Sequence, residues 1–129
     1  MTGQARFWLR AKEREAETAR ARALYADVIE ALEQHVCNVE IDNCGNELTI
    51  VIVLAEEHRI NIAGRHSLPW HDDRSELGGW AATYTDEHGH SKVLYDTTTP
   101  EGEPPGDLTV EPLAEAVGGW ATGWLAEHS

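Results

Sequence analysis

The stretch "ELTIVIVLA", residues 47–55, constrains this chain more than any other. In an extended strand Leu48, Ile50, Ile52 and Leu54 fall on one face, and Val51 and Val53 on the other. Apolar side chains on both faces suit a strand flanked by neighbours, so the segment is predicted to be the central strand of a sheet. It is far too short to cross a bilayer.

The period of two continues around it. "VCNVEID" places Val39 and Ile41 on one face, and "DNCGN" supplies a turn. "EEH" turns the chain again before "RINIA", a shorter strand with Ile60 and Ile62. "WAATYT" and "HSKVLYD" flank "DEHG" as a hairpin, where Gly89 can adopt positive φ without steric cost. "TTTPEGEPPGD" is a Pro/Gly linker.

Two helices bracket these strands. Residues 5–36 hold no Pro or Gly and are rich in Ala, Glu, Arg and Leu, which predicts one long helix. Leu24, Tyr25, Val28, Leu32 and Val36 recur at helical spacing and are expected to face the core. Between Arg10 and Ala23 there is no large apolar side chain, Ala being the sole apolar type amid the charges, and Phe7-Trp8-Leu9 forms an apolar tip. That half is expected to project from the body, dividing the chain into residues 1–22 and a single domain over 23–129. At the other end Leu113, Val117, Trp120 and Trp124 make a helical stripe, with Pro112 in the first turn and Thr109 as N-cap. The fold class is therefore α+β: a long N-terminal helix, an antiparallel sheet of four or five strands, and a C-terminal helix. Both helices are expected on one sheet face, against Ile50 and Ile52.

"GGWA" occurs twice, at residues 78–81 and 118–121. After the first copy Trp80, Ala82 and Tyr84 alternate; through the second the helical stripe runs on. One string is thus expected in two structures, a strand start and a helix interior. Glycine within a helix costs about 1 kcal/mol relative to Ala, so Ala116, Gly119 and Gly123 are expected to form a small-residue strip for close packing.

The chemistry-bearing residues suggest few sites. His66, His71 and Asp72 in the loop "GRHSLPWHDDRSELGG" are possible zinc ligands by type, but their spacing matches no zinc motif. The bland alternative is a polar loop in which Trp70 plugs the core edge. His88 and His90 lie on the hairpin turn, and an exposed turn is expected there. No nucleophile elbow or phosphate-binding loop occurs, so the chain is read as non-enzymatic and without cofactor. The two cysteines, Cys37 and Cys44, are expected as free thiols. The N-terminal residues lack the apolar segment of a signal peptide, from which a cytoplasmic location is expected.

Charge is more telling. The net charge of −13 is unevenly spread. Residues 1–25 carry six Lys/Arg against three acids, net +3; residues 26–129 carry four against twenty, net −16. Arg6, Arg10 and Arg14 recur every four residues, hence on one helix face. Like charges at that spacing, near a helix N-terminus, oppose both one another and the macrodipole. Such a face suits an acidic surface, and the nearest is the body of another copy. The acidic body argues against direct binding of nucleic acid, and nothing suggests a membrane.

The hairpin "LGGWAATYTDEHG" followed by a Pro-led C-terminal helix resembles small acidic α+β domains of unknown function encoded by high-GC actinobacteria and their phages. The resemblance implies no activity or site. The function expected is a small protein-binding module, regulatory or inhibitory, of the phage-accessory or immunity kind. Its contacts would be Arg6, Phe7, Trp8, Arg10, Arg14 and Trp70, with a protein partner, basic in character or a second copy joined through the N-terminal helix. One alternative is a nucleic-acid mimic that inhibits a DNA- or RNA-binding protein. Another is a metal-binding protein or hydrolase built on His66, His71 and Asp72.

Overall fold

A computed structural model describes Lys12 and residues 15–44, 47–65, 77–100 and 102–128. Five antiparallel strands stand in sheet order that follows the chain. They are β1 (Val39–Cys44), β2 (Glu47–Ala55), β3 (His58–Ala63), β4 (Ala81–Thr85) and β5 (Ser91–Asp96). The doubly apolar strand β2 is interior, paired with β1 and β3, but the middle place belongs to β3. Residue pairs Ile41↔Ile50↔Ile62↔Ala82 run across four strands and line up one apolar face.

Against that face lie helices α1 (residues 15–24), α2 (Ala26–Glu33) and α3 (Val110–Glu127). Val28, Leu32, Leu113 and Val117 join Ile50, Ile52, Ile60 and Ile62 in one core, all fully buried. The core also takes in Ala21. The helix α2 borders β1 and α3 borders β5, with the two helices side by side. The opposite face carries Val51, buried, but also Val53 and Val93, which are 41% and 63% exposed.

The long N-terminal helix needs correction. Among the described residues its first piece, α1, is short, and the helical geometry breaks at Tyr25 (φ −108°, ψ 21°) before α2 begins. The bonds Tyr25 N–H to Ala21 C=O (2.9 Å) and Ile29 N–H to Tyr25 C=O (3.0 Å) bridge the break, so the hydrogen-bonded ladder continues across it. The cause is tertiary. Tyr25 is fully buried and meets the buried ring of Trp80 edge-on, 6.3 Å between centroids at 72°. Residues 5–11, 13 and 14 of the expected helix lie outside the described residues.

The two copies of "GGWA" do fall in different structures. Gly78 and Gly79 have φ of +69° and +132°, and Ala81 opens β4, whereas Gly118-Gly119-Trp120-Ala121 is interior to α3. A Cβ at Gly79 would collide with the Thr97 backbone. The Pro/Gly linker proves to be stitched to that segment. Thr97 N–H donates to Trp80 C=O (2.8 Å), and Gly106 N–H and Thr99 N–H both donate to Gly78 C=O (3.0 Å each). Arg65 joins the stitch, donating from its guanidinium to Thr99 Oγ1 at 2.6 Å and to Glu103 C=O at 3.1 Å.

Candidate functional site

None of the residues expected to bind a partner or a metal lies among the described residues. Arg6, Phe7, Trp8, Arg10, Arg14, His66, Trp70, His71 and Asp72 all lie outside the described residues. Among the described residues no group of three or more His, Cys, Asp and Glu could hold a metal ion. His88 and His90 are exposed on their turn, where both backbone N–H groups donate to Asp86 Oδ1 at 2.9 Å. Asp86 titrates below the ordinary carboxylate value: partial desolvation opposes ionisation, but the two N–H donors and the neighbouring imidazoles outweigh it. Cys37 is an exposed free thiol.

The structure instead draws together residues that lie far apart in sequence, at the C-terminal half of α3. Tyr84 on β4 pairs in register with Ile60 and Lys92. Its hydroxyl lies 2.8 Å from His58 Nδ1 at the start of β3, and the two rings run nearly parallel, 9° apart. Trp120 packs on Tyr84 with centroids 4.7 Å apart, and Trp124 lies 5.1 Å from His58. His128 stacks on Trp124 at 4.0 Å and bonds to its carbonyl through Nδ1 at 2.8 Å. The stripe expected to pack on Ile50 and Ile52 thus divides. Leu113 and Val117 enter the core, while Trp120 is only half-buried and leans on Tyr84.

Beside these rings lies an open depression of about 210 Å³, lined by Gly119, Trp120, Gly123, Trp124 and Glu127. The small-residue strip was expected to receive another part of the chain. Among the described residues it does not: a Cβ added at Gly119 or Gly123 would meet nothing within 4 Å. Gly118 makes the close approach instead, beneath the His35 ring of the segment after α2.

The exposed row that carries the two glycines is acidic. Glu111, Glu115, Gly119, Gly123 and Glu127 fall four apart on α3 and are all exposed. No Lys or Arg occurs anywhere in α3. Glu111 and Glu115 repel at i,i+4, and Glu127 adds negative charge where the helix dipole is already negative. Lys92 Nζ stands 6.0 Å from the Trp120 ring centroid, so that indole is already placed to attract a cation. Chemically the row can stack, exclude water and attract positive charge. Sequence reasoning named Trp120, Trp124 and both glycines, but as packing residues. It missed His58, Tyr84 and Glu127, because no sequence signal joins His58 to Tyr84, and Glu127 is distinguished only by its place in the row.

Compared with known proteins, the chain matches no family model, no curated protein and no solved structure.

Proposed function

We propose that this chain is a non-catalytic protein-binding module, regulatory or inhibitory, whose contact surface includes the glycine–tryptophan depression and acidic row of α3. The observation that carries the proposal is the pair Gly119 and Gly123. Each weakens the helix by about 1 kcal/mol relative to Ala. Among the described residues neither is required by a neighbour, since a Cβ there would meet nothing within 4 Å. A surface that gives up helix stability to keep its floor low, beside a half-buried Trp120, is suited to an incoming backbone or long side chain.

The test is site-directed photo-crosslinking in the producing cell. Benzoylphenylalanine replaces Gly123 in one version and the exposed Glu33 of α2 in another. A light-dependent protein adduct is expected from position 123 and not from position 33. No adduct from position 123, or equal adducts from both, would overturn the proposal.

A further inference from the structure

We infer that the occupant of the α3 row is a second copy of this chain, through its basic N-terminal residues 6–14. The inference rests on the protein-binding reading above and names the partner of that same surface.

Two observations support it. The first is charge. The row Glu111-Glu115-Gly119-Gly123-Glu127 lies on a helix without Lys or Arg, in a body of net −16. The N-terminal residues supply the opposite sign, with Arg6, Arg10, Lys12 and Arg14 against the single acid Glu13 in residues 1–14. In sequence Arg6, Arg10 and Arg14 repeat every four residues, the same interval as the acidic row. The second is side-chain chemistry. A guanidinium can lie flat on an indole while it pairs with a carboxylate, and Trp120, Trp124 and Glu127 line one depression. Glutamate repulsion along α3 is relieved when the positive charge of residues 6–14 meets it across the interface.

The experiment is sedimentation equilibrium on the full chain, with three variants. Gly123→Leu places a bulky side chain in the depression, at a position where a Cβ meets nothing within 4 Å among the described residues. Arg6→Glu/Arg10→Glu/Arg14→Glu reverses the basic segment, and Glu115→Arg/Glu127→Arg reverses the row. Circular dichroism establishes that each variant is folded, and Glu33→Arg serves as a charge control at an exposed site on α2. The unsubstituted chain is expected to dimerise, with a dissociation constant raised about tenfold by high salt. Each variant alone is expected to weaken the dimer at least about tenfold, and the control to leave it unchanged. An equimolar mixture of the two charge-reversed variants is expected to form a heterodimer, because both contacts regain opposite signs.

A monomeric unsubstituted chain at low salt would overturn the inference. So would a dimer indifferent to the Gly123 and arginine substitutions, or a mixture that fails to pair. If the chain is monomeric while position 123 still crosslinks a foreign protein, the second-copy assignment fails and the protein-binding reading stands. If position 123 crosslinks nothing, both fail.

Discussion

A methyl group added at Gly118 would meet His35 Cβ at 2.6 Å, whereas one added at Gly119 or Gly123 meets nothing within 4 Å. Three glycines in six residues of one helix therefore answer to different constraints, and their substitutions are expected to have opposite signs. Gly118→Ala forces α3 away from the segment after α2 and is expected to cost about 1–3 kcal/mol. Gly123→Ala restores helix propensity at an open site and is expected to add about 1 kcal/mol. Urea denaturation of the two variants checks both. Two carboxylates offer a second test at this scale. Asp96 accepts from the Thr98 hydroxyl (2.6 Å) and backbone N–H (2.9 Å), and these bonds hold its pKa below 3.8. Asp107 is held below 3.8 in the same way, first by the Thr109 hydroxyl and then by its N–H. A carboxyl whose folded pKa is lowered stabilises the fold above its unfolded value, and that contribution fades as pH falls through the folded pKa. Asp96→Asn/Asp107→Asn is thus expected to be less stable than the parent near neutral pH. The difference should close below pH 3.8, as read from unfolding midpoints across an acid series.

Among the elements, the strands and α3 follow their local patterns, and the N-terminal helix does not. Period-two alternation was legible in β1 to β5 because one face of the sheet is covered by the helices while the other leaves Val53 and Val93 exposed. The first helix reads as continuous because Ala, Glu, Arg and Leu all favour it, yet helical geometry is interrupted at Tyr25, where the ring meets Trp80. Propensity sums over a window, but the burial of one aromatic pair is decided by residues 55 positions apart in sequence. Tyr25→Ala empties a fully buried site and is expected to cost about 3–5 kcal/mol, measured by thermal or urea unfolding. Tyr25→Phe keeps the edge-on contact and should lose much less. Thr109 also illustrates the limit of local rules. It occupies the N-cap position of α3, but its hydroxyl bonds to Asp107 and makes no capping bond. The candidate site was half legible for the same reason. Trp120, Trp124, Gly119 and Gly123 are conspicuous in sequence, but their exposure depends on what the sheet leaves uncovered.

At the scale of the whole molecule, one sheet face is closed by helices and the other leaves Val53 and Val93 open beside Thr83 and Asn61. Val93→Thr is expected to change stability by no more than about 0.5 kcal/mol, as an exposed substitution does, with urea unfolding as the measurement. The sequence by itself determined the α+β class, a sheet of four or five antiparallel strands, the different structures of the two "GGWA" copies, and the split between a basic N-terminal segment and an acidic body. These follow from periodicity, turn residues and charge, which act between neighbours in the chain or simply add. Only the tertiary structure decided that β3 takes the middle of the sheet, that the N-terminal helix is interrupted at Tyr25, and that the Pro/Gly linker is stitched to Gly78. It alone decided that, among the described residues, a Cβ at Gly119 or Gly123 meets no neighbour while Gly118 is crowded by His35. Those outcomes depend on close packing between residues distant in sequence, where a shift of an ångström separates contact from vacancy.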